Sequence, residues 1–298
     1  MTATPAAPDS TLRPTIWQRA VGAPLVVKIG FGFLTLIVFL CLFGDFLTPH
    51  AFDKSNLRHR LEPPVFMGGS WEFVLGTDRL GRDQFARLIF GLRVSIAIAI
   101  LGTAIGAVLG TVVGFLAAHL RGWFDEVTMM LVDFQASLPF IIIALCLLAF
   151  FGNSLVLFIV IMGINGWEVY ARLSRGVVLS ARAQPYAQAV VALGADPIRL
   201  YTRHILPNVA GVLIVQFTLN FPLTILLETS LSFLGLGIQP PNTSLGLILG
   251  EGRDYLINAP WLAVAPGVLI FLTTLSMSLI GDWLRDELDP TLKRGRDG

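Results

Sequence analysis

PYAQAVVALGADPIRLYTRHILP, residues 185–207, is the longest polar interruption in the second half of a very apolar chain, and its reading decides the fold. Tyr186, Ala189, Val190 and Leu193 fall on one face at helical spacing. Gly194 ends that piece. Asp196-Pro197 then reads as an N-cap followed by proline at the first helical position. Arg172, Arg175 and Arg182 precede the stretch, and Arg199 and Arg203 lie within it. The pattern predicts two short helices meeting at a glycine between two membrane spans. An amphipathic element of this kind either fits a groove on a partner or lies on the lipid surface. The residues of the stretch alone leave both readings open.

On either side the chain is built for a bilayer. Of 298 residues, 54% are hydrophobic and 14% charged, against about 25% charged in a soluble domain. Six apolar runs, near 25–47, 94–118, 127–150, 154–171, 209–233 and 261–283, approach the roughly 20 residues that a span needs. The first outlasts the roughly 7–15-residue core of a signal peptide and is read as a retained span. Residues 1–24, rich in Ala, Thr and Pro, read as a disordered tail, and 284–298 as a second tail. Six spans place both termini on one side. With that side cytoplasmic, thirteen of the 21 Lys and Arg residues fall inside and eight outside, the bias of a protein with cytoplasmic termini.

The outer segment 48–93 ends in an amphipathic stretch. Asp83 is placed to cap a helix whose stripe is Phe85, Leu88, Ile89 and Leu92, which predicts an interfacial helix leading into the second span. Asp78, Arg82 and Asp83 are expected to pair structurally. Within the second span Gly102, Gly106, Gly110 and Gly114 recur every four residues, a smooth face for close helix approach. That face serves either tight packing or a contact inside a moving core. The fifth span holds Gln216, Asn220, Pro222 and Glu228, which are candidates for lining a pathway or for interhelical hydrogen bonding. The Gly/Pro-dense outer loop 235–260 reads as a re-entrant or capping segment.

Several classes of chemistry are disfavoured. The net charge of +1 and the lack of basic clusters with interleaved aromatics point away from nucleic acid. Cys41 and Cys146 both sit in apolar runs, and the four histidines share no ligand spacing, so no metal site is expected. No P-loop, HExxH or GxSxG motif occurs, which disfavours an intramembrane enzyme and leaves no catalytic residue to name. A stand-alone transporter driven by an ion gradient needs ionisable groups near the midplane. Asp133, Glu168, Glu228 and Asp282 instead fall towards span ends.

Four blocks, in order and between the right spans, carry a family resemblance: LGTDRLGRDQFARLIFG (75–91), the stretch 186–208, ETSLSFLGLGIQPP (228–241), and EGRDYLINAPWLAVAPG (251–267) running on to GDWLRDELDP (281–290). From about residue 70 to 294 the chain resembles the second, C-type permease subunit of dipeptide/oligopeptide/nickel-type ABC importers. The resemblance implies an all-α membrane protein of six transmembrane helices in the type I importer permease fold. The core would be 94–283, including a coupling loop over 176–207. The family's signature is E-A-A, three residues, Gly, nine residues, Ile, any residue, Leu-Pro. It maps to Gln188-Ala189-Val190, Gly194, His204 and Leu206-Pro207, with glutamine and histidine at the glutamate and isoleucine positions. The missing carboxylate removes a charge-assisted bond worth about 1.5–3 kcal/mol.

By that resemblance Tyr186, Gln188, Ala189, Val190, Leu193, Gly194, Ala195, Asp196, Arg203, Leu206 and Pro207 would form a coupling element docking on an ATPase subunit. The implied partners are a homologous permease in a heterodimer, two ATPase subunits that carry ATP and Mg, an extracytoplasmic solute-binding protein, and membrane lipid. No cofactor would bind this chain itself. The implied place is the bacterial cytoplasmic (inner) membrane, and the solute a peptide or similar small molecule moved by alternating access.

Overall fold

The computed structural model describes residues 22–288. The tails expected over 1–24 and 284–298 therefore fall mostly outside the described residues. The part of the second that is described, 284–288, continues the last helix. Among the described residues there is no strand, and one isolated bridge joins Thr77 and Asp83.

Ten helices set the frame: α1 (Leu25–Leu47), α2 (Gln84–Leu120), α3 (Gly122–Ser137), α4 (Phe140–Phe151), α5 (Leu155–Ile164), α6 (Trp167–Arg182), α7 (Pro185–Ala192), α8 (Leu206–Phe233), α9 (Leu245–Gly252) and α10 (Trp261–Leu288). Five are long and apolar enough to cross a membrane when α5 and α6 count as one, and α8 is taken with its lead-in from Pro197. A sixth span arises if the bent pair α3–α4 crosses as one unit. The apolar runs predict six spans, and the break in the third is new.

Each break has a local cause. Between α3 and α4 the axis turns by 92°. Pro139 restricts its predecessor to extended backbone, and Leu138 sits at φ −98°, ψ 135°. Between α5 and α6 the chain passes through Gly166 at φ +96°. The Glu168 carboxylate then accepts the Gly166 N–H at 3.0 Å, restarting the helix. Ahead of α8, one helical turn at Pro197–Arg199 and a π-turn at Leu200–Ile205 lead without a stop past Pro207. Pro207 has no N–H to give the preceding turn, and the wider turn accommodates it. The second short helix expected after Gly194 is thus the lead-in of α8.

α2 is the axis of the bundle, packing on α6, α5 and α8, while α1 lies outside against α10. At 37 residues it is about 55 Å long. The interfacial helix expected before the second span is not a separate element. Asp83 does cap, its Oδ1 accepting the Phe85 N–H at 2.9 Å, but the helix it starts is α2 itself. The stripe explains this: Leu88 and Leu92 are buried with Leu245 and Ile248 of α9 and Ile270 of α10, and Ile89 is buried against Gly44 of α1. The segment 48–83 folds over this end, where the Trp261 indole donates to the Thr77 carbonyl. α9 tucks between α8 and α10, so the outer loop is a packed capping element.

Candidate functional site

The opening stretch forms one unit at the end of the bundle where α2 and α6 finish. It is anchored from below. Ala187, Leu200 and Ile205 are buried with Ala118 of α2, Val178 and Ala181 of α6, and Val209 of α8. A polar tie reinforces the anchor. Arg182 Nη1 donates to the Tyr201 hydroxyl at 3.1 Å and to the Ala118 carbonyl at 3.2 Å. His119 Nδ1 lies 3.1 Å from the same hydroxyl. α2, α6 and the lead-in to α8 thus meet at Tyr201.

α7 ends in a glycine turn. Leu193, Gly194 and Ala195 donate back to the carbonyls of Ala189, Val191 and Val190, with Gly194 at φ +77°. That left-handed conformation is cheap only for glycine. Asp196 then caps the next turn, its Oδ2 accepting the Ile198 N–H at 3.2 Å, with Pro197 behind it. Arg203, Leu206 and Pro207 are exposed along the lead-in to α8.

The expected stripe faces outwards. Tyr186 and Ala189 are exposed, Leu193 is 87% exposed, and Val190 alone leans on the bundle. Ile198, across the turn, is 72% exposed. The segment buries Ala187, a residue that the spacing did not single out, and presents its larger apolar side chains to the surroundings. Gln188 is exposed and spends its amide on the Ala183 carbonyl at 3.1 Å. Exposed apolar side chains held on an anchored turn mark a surface that a partner or the membrane covers, because such residues cost free energy while uncovered.

The remaining sequence candidates lie elsewhere. Gly102, Gly106, Gly110 and Gly114 are buried, and the face they form meets Met162, Gly163, Trp167, Tyr170, Ala171 and Ser174 of the α5–α6 span. A side chain at Gly110 or Gly114 would run into the carbonyls of Trp167 or Ala171. In the fifth span Asn220, Pro222 and Glu228 are buried inside this chain. Glu228 accepts from the hydroxyls of Ser95 at 3.0 Å and Ser232 at 2.8 Å. Ser95 in turn accepts the Leu245 N–H at 3.1 Å. Those bonds join α2, α8 and α9, so Glu228 is a packing residue here, buried in protein and, as expected, towards the end of its span, five residues before α8 stops at Phe233. Gln216 alone opens on a cavity of about 420 Å³, beside Arg172 and Gly176.

Two charged networks reach beyond the expected pairing of Asp78 with Arg82, which the structure contains. At the end opposite the 185–207 unit, the Arg87 guanidinium bridges Asp78 at 2.6 Å and Glu251 at 2.7 Å, and Arg82 Nε reaches Asp78 at 2.7 Å. Asp83, expected among these pairs, caps α2 instead. On the coupling side Arg175 grips Asp125 through two nitrogens, and Arg172 meets Asp133 at 2.7 Å.

Comparison with known proteins decides the family. The model of the binding-protein-dependent transport system inner membrane component matches residues 110–294. The chain belongs to this family. A second model, the N-terminal transmembrane domain of oligopeptide transport permease C, matches residues 17–64, which places the chain among the C-type permeases of peptide-type importers. It is similar to the di/tripeptide transport system permease protein DppC of Pseudomonas aeruginosa, 38% identical over 89% of this chain and 88% of that one. It is also similar to the glutathione transport system permease protein GsiD of Pectobacterium atrosepticum, 34% identical over 93% of this chain and 90% of that one. The dipeptide transport system permease protein DppC of Bacillus subtilis is 33% identical over 96% of this chain and 90% of that one. Among solved structures, the inward-facing MetNI methionine ABC transporter superposes with a TM-score of 0.54 at 20% identity, covering 67% of this chain and 95% of that one. That likeness carries the fold, the type I importer permease. The chain is the transmembrane permease subunit of an ABC importer, and nothing supports a stand-alone secondary transporter.

Proposed function

We propose that this permease pairs with a homologous second permease, that two ATPase subunits dock beneath the pair, and that an extracytoplasmic binding protein delivers the solute from the other side. ATP and Mg sit on the ATPase subunits, and this chain contributes no hydrolytic site. Both termini, and the unit 185–207, face the cytoplasm, in keeping with the distribution of Lys and Arg. The solute is a short peptide or a peptide-like molecule such as glutathione, the chemistry named for the relatives above.

The observation that carries the proposal is the anchored turn with its apolar side outward. Leu193 and Ile198 project beside Gly194, while Ala187, Leu200 and Ile205 fasten the turn to three helices. ATPase closure would press on that turn and rock the bundle between inward- and outward-open states. With Gln188 bonded to its own backbone, docking rests on shape and apolar contact more than on a salt bridge.

The test is reconstitution of the five-subunit importer in liposomes with labelled dialanine and labelled glutathione as probes. The complete complex should accumulate one of them with ATP hydrolysis, and this chain alone should accumulate neither. Gly194→Val forces a β-branched residue into the left-handed region, costing about 1–3 kcal/mol locally, and should lower solute moved per ATP. Uptake by the isolated chain, or an unchanged ratio in Gly194→Val, would count against the model.

A further inference from the structure

The tied half-span α3 is the feature that the docking model does not use. α3 packs on α2 and α6, whereas α4, beyond the 92° break, packs on α5. Along its length α3 is fastened to the α5–α6 span at three levels. Arg175 holds Asp125 with two bonds, the second at 2.6 Å. Arg172 holds Asp133 at 2.7 Å. At the top, Gln135 Nε2 donates to the Ile164 carbonyl at 2.7 Å and to Glu168 at 3.1 Å, while its Oε1 accepts the Trp167 indole N–H at 2.6 Å. α6 itself ends at Arg182, two residues before the docking helix α7 begins. A bidentate arginine–carboxylate pair fixes direction as well as distance, so the Asp125–Arg175 tie transmits both pull and rotation.

We infer that α3 is the moving cytoplasmic gate of this permease, and that Asp125–Arg175 and Asp133–Arg172 are the positioning residues that make it follow α6. The inference rests on the importer reading and extends it to named residues. The break supplies the hinge, because Leu138-Pro139 lies between a tied half and a half that the ties do not reach. The gate has a working face. Leu131, Phe134 and Leu138 line one open cavity of about 530 Å³ with Ile142, Cys146 and Trp167, and Phe134 is exposed. Movement of α6 by the docked ATPase would swing these side chains as a unit, with Leu138-Pro139 as the fulcrum. Charged pairs suit the task better than apolar contact, since they resist sliding along the helix while α3 moves.

The experiment uses the complete importer in liposomes, with Phe134→Cys in a Cys41→Ala, Cys146→Ala background. The readout is the rate of labelling at position 134 by a membrane-impermeant maleimide, with and without Mg-ATP. It needs no knowledge of the solute. In the parent complex ATP should change the rate about fivefold or more, the lower end of couplings between distant sites. Asp125→Ala and Arg175→Ala should each reduce that change to less than about twofold. The exchange Asp125→Arg with Arg175→Asp should restore it, as should the corresponding exchange of Asp133 and Arg172 against its own single variants. A merely structural role would not be rescued by exchange. Single variants that respond like the parent, or exchanges no better than their singles in intact complexes, would overturn the inference. A parent complex that takes up solute yet shows no ATP response at position 134 would also overturn the inference, whereas one that neither takes up solute nor responds to ATP would overturn the proposed assembly beneath it.

Discussion

Replacing Arg87 by methionine isolates what holds the capping end together. Arg87 is 2% exposed, and its guanidinium spans Asp78, also 2% exposed, and Glu251. Methionine keeps the apolar stem and removes both ion pairs, leaving two carboxylates facing each other. Breaking one side of a buried pair costs about 3–5 kcal/mol, because a charge remains without compensation. Arg82 stays on Asp78 at 2.7 Å and within 3.6 Å of Glu251, which holds the loss near the lower end, about 3 kcal/mol. That is roughly a hundredfold shift towards the unfolded chain. The same reasoning predicts a rescue. Arg87→Met and Arg82→Met together with Asp78→Asn and Glu251→Gln remove the charges of the network together, and buried ion pairs replaced by neutral groups are often neutral or stabilising. The amide oxygen that Asp78→Asn retains would still accept the N–H groups of Leu80 and Arg82, which now lie 2.8 and 2.9 Å from Asp78 Oδ1. The assay is equilibrium unfolding of the purified chain in mixed micelles with rising dodecyl sulfate, followed by the fluorescence of Trp261, which packs at this end. A single variant within about 1 kcal/mol of the parent, or a fourfold variant less stable than the single, would refute the network.

Two further outcomes test the packing of α2. Gly110→Val places a side chain against the Trp167 carbonyl and Tyr170; it should cost about 1–3 kcal/mol or more and abolish a monodisperse size-exclusion peak, whereas Gly176→Val, where the space is open, should not. Glu228→Leu leaves the Ser95 and Ser232 hydroxyls without their acceptor and should cost about 1–3 kcal/mol in the same unfolding assay, while Glu228→Gln, which keeps an acceptor oxygen, should lose less than half of that.

The legible parts are those in which neighbours in the chain settle the outcome. Asp83 and Asp196 cap the turns that follow them and Gly194 adopts the left-handed turn, because each effect acts within four residues. The spacing of the α2 glycines is equally local. What faced them was not legible, since Trp167 and Ala171 are distant in the chain. The same holds for charge. Asp78 and Arg82 are close in sequence, but Glu251, which completes the network, is 164 residues from Arg87. The stripes of 85–92 and 186–193 show the other limit. Both have amphipathic spacing, yet the first is buried and the second exposed. Spacing locates a face but does not say whether the chain or a partner covers it.

The two ends of the molecule are fastened differently, and the difference bears on how it moves. At the capping end the ties are buried: Arg87 with Asp78, Glu228 with Ser95 and Ser232, and α9 wedged between α8 and α10. Opening any of them strands a polar group away from water. At the coupling end the ties are wetter: Asp133 and Arg172 are exposed, as are the turn at Gly194 and its apolar neighbours. The exposed Asp133–Arg172 pair is cheap to open by itself, while the two-bond, part-buried Asp125–Arg175 pair keeps α3 with α6. This end therefore moves more easily than the other and moves the two helices together. A bundle stiff at one end and compliant at the other responds to a push on 185–207 by pivoting about the stiff end. The largest displacement then falls on the element tied to α6 yet broken from its own outer half, and that element is α3.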